Sequence, residues 1–221
     1  MTGMTLERND PRRLTVVSGG LGDPSQSRML ADRLAEATSE ALAQSGIASH
    51  VHVIELRLLA TAISDSLIAH TITPGLQDAL DQVMGADGVI AVSPTFKASY
   101  SGLFKSFWDL VDEEEFAGTP VLLGATGGTA RHSLVIDQAM RPLFAYLKAL
   151  TSPVSVYAAA DDWGDVYGSS DSTKTAPIHE RIHHAGATFA NLINAIPSRP
   201  RASKHHPTEI EVTPFEQLLN G

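Results

Sequence analysis

The chain reads as an α/β protein built on a doubly wound parallel sheet. Three observations predict this. Short runs rich in valine, isoleucine and leucine alternate with helix-period segments along the 221 residues. Most of the short runs are almost continuously apolar, as strands covered on both faces are. Glycine- and hydroxyl-rich turns follow three of them, at the strand ends where open sheets bind ligands.

Taken in order, Leu14–Ser18 is the first strand. Ser27–Ser45 is a helix, because Leu30, Leu34, Ala37, Ala41 and Leu42 share a face and Gly46 stops it. His50–Leu56 alternates and carries Val and Ile, which makes strand two. The segment Arg57–Thr73 shows no clear period and stays unassigned. Pro74 suits the first turn of a helix running to Met84. Gly88–Ser93 is strand three, Gly102–Val111 a helix, Pro120–Ala125 strand four, Ser133–Ala149 a helix, Pro153–Tyr157 strand five and Ile178–Ile196 the last helix. The expected organisation is a disordered leader over 1–13, one domain over 14–197 and a tail over 198–221. In the tail, Ser198–Pro207 reads as a linker and Ile210–Leu219 as a short apolar piece that docks.

Composition excludes several classes. There is no cysteine, so disulfides, thiolate nucleophiles and Cys-ligated zinc are ruled out. A net charge of −9 argues against a general nucleic-acid binder and an anionic membrane surface. No apolar run reaches the ~20 residues that span a bilayer, and the polar N-terminus lacks a signal-peptide core. The expectation is a soluble cytoplasmic protein.

Three loops carry the chemistry. Loop one, Ser18-Gly-Gly-Leu-Gly-Asp-Pro-Ser25-Gln26-Ser27-Arg28, joins a strand to a helix start. Unpaired N–H groups and the positive end of the helix dipole converge there, and Ser18, Ser25 and Ser27 add hydroxyls. The loop lacks the Gly-Lys-Ser/Thr ending of a triphosphate loop, and Ser25 stands where a dinucleotide fingerprint has its third glycine. Glu55 lies too far along for the usual ribose carboxylate. A terminal monophosphate therefore fits best. The plain alternative is a βα turn with a serine N-cap.

Loop three, from Pro94, Thr95, Phe96 and Lys97 to Gly102, offers an aromatic ring beside exposed amides, with Pro94 ending the strand. That combination packs against a flat heterocycle and fixes its polar edge. The alternative is that Phe96 plugs the core. Loop four contains Thr126, Gly127, Gly128 and Thr129, whose small residues let backbone N–H groups approach a ligand face-on.

Together, S-G-G-L-G-D-P-S-Q-S-R, S-P-T-F-K-A-S-Y-S-G-L-F-K and A-T-G-G-T-A-R-H-S-L resemble the NADPH-dependent FMN reductases of the flavodoxin-like fold, over about Leu14 to Asp162. The closest likeness is to the reductase component of two-component alkanesulfonate-type monooxygenases. The resemblance implies five parallel strands in the order 2-1-3-4-5. It implies that Ser18, Ser25, Gln26, Ser27 and Arg28 hold the FMN phosphate. Pro94, Thr95, Phe96 and Lys97 would line the isoalloxazine ring, and Thr126, Gly127, Gly128 and Thr129 its pyrimidine edge. Hydride would pass from NADPH to flavin N5, so no side chain is assigned a catalytic role. Arg131 and His132 are candidates for the NADPH phosphates or plain surface residues. The implied partner is a flavin-dependent monooxygenase that accepts reduced FMN. The implied assembly is a homodimer or homotetramer.

Rival readings are a quinone or azo-compound reductase and a flavodoxin-type electron carrier. His179-Glu180-Arg181-Ile182-His183 also matches a zinc-hydrolase helix motif, with His205, His206 or Glu209 as third ligand. The helix reads better as an amphipathic cover through Ile178, Ile182, Phe189, Leu192 and Ile196, so no metal is expected. Asp112–Glu115 reads as a solvated helix end. Asp161-Asp162-Trp163 is either a flap over the site or a surface loop. The aromatics Tyr100, Phe104, Phe107 and Trp108, with Val111, exceed what one buried stripe needs, and some are expected at an isologous contact.

Overall fold

A computed structural model describes residues 10–163 and 176–199. Its strands are β1 (Arg12–Ser18), β2 (Ser49–Glu55), β3 (Gly88–Phe96), β4 (Ser99–Tyr100), β5 (Pro120–Gly127), β6 (Leu150–Thr151) and β7 (Val156–Ala159). Its α-helices are α1 (Gln26–Gln44), α2 (Ala60–Ala69), α3 (Pro74–Met84), α4 (Gly102–Trp108), α5 (Glu113–Phe116), α6 (Arg141–Tyr146) and α7 (Ile178–Asn194). The central order β2-β1-β3-β5 is parallel, with β6 and β7 both on the outer edge of β5. This is the expected flavodoxin-like order.

The strand count differs from five, for two local reasons. The predicted fifth strand, Pro153–Tyr157, begins later, as Val156–Ala159 on Gly124–Gly127, and a separate short strand before it, Leu150–Thr151, pairs with Pro120 and Val121. Pro153 lies in the gap and has no N–H to give to the ladder. Pro94 does not end β3, contrary to the sequence expectation. It aligns with Thr126 beyond the point where β1 stops, where a residue without an N–H is tolerated. The chain then turns through Lys97 and Ala98, both at positive φ (49° and 65°), into antiparallel β4.

Side-chain alternation sorts the core onto two faces. Leu14, Val16, Ile90, Val92 and Leu122 face α1 and α7, where Leu30, Leu34, Phe189 and Ile193 are buried. Gly186 lets those helices touch, since a Cβ there would sit 2.7 Å from that of Ala37. Val17, Val89, Ala91, Val121 and Leu123 face the opposite layer, with Phe104, Phe107, Trp108, Phe116 and Phe144. The aromatics of α4 are thus accounted for inside one chain. Phe104, Phe107 and Trp108 are fully buried in ring-to-ring contact, and only Tyr100 is half-exposed.

The unassigned segment 57–73 holds a 3₁₀ turn, Leu56–Leu59, and α2. Its period is blurred because Leu58, Leu67, Ile68 and Ile72 are exposed. The predicted helix Ser133–Ala149 is a π turn over Ile136–Met140 continued by α6. Pro142 has no N–H for the Gln138 carbonyl, and the helix widens just before it.

At the amino ends of the strands, buried Asp87 accepts hydrogen bonds from the N–H of Arg13 and Arg199, the Arg13 guanidinium and the Ser198 hydroxyl. Burial alone would raise this carboxyl, but those donors hold it below its usual range. Ser198 and Arg199 are therefore tied to the sheet, although the sequence places them in the linker. Residues 1–9 and 200–221 lie outside the described residues. No described helix is long and apolar enough to cross a membrane.

Candidate functional site

The three loops converge at the carboxyl ends of β1, β3 and β5. Loop one begins at Ser18, buried at the end of β1 between Glu55 and Val92 in register. It closes at Ser25, the N-cap of α1, whose Oγ accepts from Arg28 N–H at 3.2 Å. Gly20 folds back onto Ser25 so closely that a Cβ would overlap the serine hydroxyl. Among the described residues, nothing pairs with the N–H of Gly20, Leu21, Gly22, Gln26 or Ser27. These amides sit at the positive end of a 19-residue helix, and an anion is their natural acceptor.

Two expected phosphate ligands are otherwise engaged. Ser27 Oγ is buried and hydrogen-bonded to Thr126 Oγ1 at 2.7 Å, so these hydroxyls tie loop one to loop four. The Arg28 guanidinium donates through Nε to both Asp32 oxygens and through Nη1 to Glu55. The Asp32 bond chiefly raises its pKa. Only Nη2 of Arg28 remains without a partner among the described residues. Glu55 also binds Arg57 at 3.1 Å, and Arg57 reaches Asp23 at 3.2 Å, which pins the outer limb of loop one. Gln26 is exposed beside the free amides.

Loop three is joined to loop one by Ser101, whose Oγ donates to the Gly19 carbonyl at 3.4 Å and caps α4. Phe96 is 47% exposed at the tip of the β3–β4 hairpin and does not plug the core. Pro94 and Thr95 lie just below it, and Lys97 projects at the turn. Thr95 Oγ1 is buried near the Tyr157 phenol yet has no partner in hydrogen-bonding geometry.

In loop four, Gly127 ends β5 while Gly128 and Thr129 are exposed. A Cβ on Gly128 would meet nothing within 4 Å, so that position is open to a ligand. A Cβ on Gly127 would instead strike the Tyr157 hydroxyl. Gly127 is small because of Tyr157, a residue the sequence reading did not single out. Arg131 and His132 are exposed on a 3₁₀ turn.

A row of free amides at a helix start, an exposed aromatic ring, an unpartnered buried hydroxyl and an open glycine suit a flat heterocycle carrying a phosphate. FMN has that shape, and the donors present fit it. Flanking the site, Asp162 accepts from Ala159 N–H and from Arg181, and Arg33 stacks 5.0 Å over Trp163. Asp161–Trp163 is therefore a 3₁₀ turn tied to α1 and α7. His179, Glu180 and His183 are exposed on α7, and no metal-binding group of three side chains occurs among the described residues. His205, His206 and Glu209 lie outside the described residues.

A family model described as NADPH-dependent FMN reductase matches residues 12–164. The chain is 41% identical over 149 residues to the NADH-dependent FMN reductase SfnF of Pseudomonas putida, spanning 67% of this chain and 78% of that protein. It is 38% identical over 182 residues to an FMN reductase (NADPH) of Pseudomonas aeruginosa, spanning 82% and 92%. The solved structure of an oxidoreductase from Corynebacterium diphtheriae superposes with a TM-score of 0.77 at 37% identity, covering 85% of this chain and 99% of that one.

Proposed function

Because this chain belongs to the NADPH-dependent FMN reductase family, we propose that it reduces FMN with NADPH and supplies the reduced flavin to a separate monooxygenase. The observation that carries the reading is the joining of loop one to loop four through Ser27 and Thr126 at 2.7 Å. It sets a phosphate-binding helix start beside an open glycine surface. Bound FMN supplies the hydride acceptor, and the nicotinamide nucleotide supplies the hydride.

The chain's own residues bind and orient. The free amides from Gly20 to Ser27, with the hydroxyls of Ser18 and Ser25, hold the phosphate. Arg28 adds a nearby positive charge rather than a full fork, since Asp32 and Glu55 occupy most of it. Pro94, Thr95, Phe96 and Lys97 line one side of the ring. Thr126, Gly127, Gly128 and Thr129 line its polar edge, where backbone N–H groups favour added negative charge.

Relatives with NADH and with NADPH in their names both match this chain, and the description of the matching family model favours NADPH. The reading includes a cytoplasmic homo-oligomer. Exposed Leu67 and Ile68 on α2, with Ile72 just beyond, favour self-association because a monomer leaves them in water.

The test is anaerobic oxidation of NADPH, and separately NADH, with and without excess FMN. Oxidation that depends on added FMN and continues over many turnovers supports the reading. Full activity without added flavin, raised by quinones, would make the protein a quinone reductase. Tight FMN with no nucleotide oxidation would make it an electron carrier.

A further inference from the structure

We infer that Tyr157 is a positioning residue for the loop Thr126–Thr129: its hydroxyl fills the space a side chain at Gly127 would take and tethers the loop through the Thr129 carbonyl. Tyr157 lies in β7, opposite Ala125 of β5, and is buried. Its Oη donates to Thr129 O at 2.8 Å. A Cβ at position 127 would overlap that oxygen and lie 3.1 Å from Cζ. Gly128 and Thr129 are exposed, and the Thr129 carbonyl otherwise accepts only a long 3.5 Å bond from His132 N–H among the described residues. The strand behind the tyrosine is itself held, because Arg181 donates to the Tyr157 carbonyl at 2.6 Å and pairs with Asp162. The phenol is protonated at neutral pH even at its ordinary value, and burial pushes it further up, so it keeps donating.

Glycine and tyrosine therefore act as one unit. The missing side chain at 127 makes room for the phenol, and the phenol sets where Gly128 and Thr129 stand. In the proposed function that loop takes the polar edge of the flavin ring, and the ligand half of the inference rests on that reading.

Four proteins test it: wild type, Tyr157→Phe, Gly127→Ala and the double variant. Each is followed by thermal unfolding and by fluorescence titration with FMN and with riboflavin. Tyr157→Phe is expected to stay folded and to weaken both flavins by the same factor, about 3–10-fold, because the ring edge moves while loop one does not. Gly127→Ala is expected to weaken both by about 10-fold or more. Adding Tyr157→Phe to Gly127→Ala is expected to recover part of that loss and part of the lost thermal stability. Removing the oxygen leaves only the 3.1 Å contact, which a small shift relieves. A double variant that merely sums the two losses overturns the proposal, as does a Tyr157→Phe protein that loses FMN but keeps riboflavin. If wild type bound neither flavin, the functional reading would fall. The coupling between 127 and 157 in unfolding would then decide the positioning role by itself.

Discussion

Replacing Ser27 by alanine separates a strut from a phosphate ligand. Ser27 and Thr126 are 2% and 3% exposed, and their hydroxyls meet at 2.7 Å across 99 residues of chain. The substitution removes one buried neutral hydrogen bond, about 1 kcal/mol net, and strands the Thr126 hydroxyl at a further cost of about 1 kcal/mol. The loss of about 2 kcal/mol should lower the melting temperature by roughly 4–8 °C in a domain of this size. Urea and thermal unfolding read that loss. Flavin titration should show FMN and riboflavin weakened by similar factors, because the hydroxyl serves the junction of two loops and the Ser27 N–H is untouched. Thr126→Val should behave alike. The double variant should cost less than the sum, since no buried hydroxyl is then left unpaired. Unchanged stability with loss of FMN alone would refute this reasoning and make the hydroxyl a phosphate ligand.

Asp87→Asn should cost about 2–3 kcal/mol at neutral pH in urea unfolding, through weakened bonds from Arg13, Ser198 and Arg199. Asp87 is held below its usual pKa of 3.8, so its stabilisation is present above that value and is lost as pH falls through the lower folded one. The gap between wild type and variant should close only in strong acid, and a gap unchanged there would count against the ion cluster. Light scattering at micromolar protein should give a mass above that of one chain, and Ile68→Asp should lower it. Phe107→Glu should unfold the protein rather than dissociate it, since that ring is fully buried. A wild-type mass of one chain would end the oligomer reading.

The strands and the three loops are legible because each leaves a local mark, whereas the sheet order follows from the family resemblance. Val16-Val17, Val89-Ile90 and Val121-Leu122 announce buried strands, and the glycines and serines beyond them announce their ends. Pro74 marks the start of α3 at the observed residue. Features that depend on partners far along the chain were not legible. Nothing near Arg28 says that Glu55 will claim its guanidinium, or that Arg57 will carry the same link on to Asp23. The Ser27–Thr126 bond and the Tyr157 tether likewise exist only once β5 lies beside β7 and beneath α1. At Gly127 the structure adds a reason for smallness that the sequence does not show, since a Cβ there would overlap the Tyr157 hydroxyl. Helix α2 was missed because its apolar residues do not all face inward.

The central claim is that loop one holds the phosphate of a flavin whose ring lies against loops three and four. A fluorescence titration of the wild-type protein with FMN and with riboflavin under identical conditions tests it most directly. The phosphate should be worth at least one or two charge-assisted hydrogen bonds, so FMN is predicted to bind at least ~10-fold more tightly than riboflavin. The gap should narrow when high salt screens the phosphate. Equal affinities for the two flavins, or no binding of either, would contradict the account.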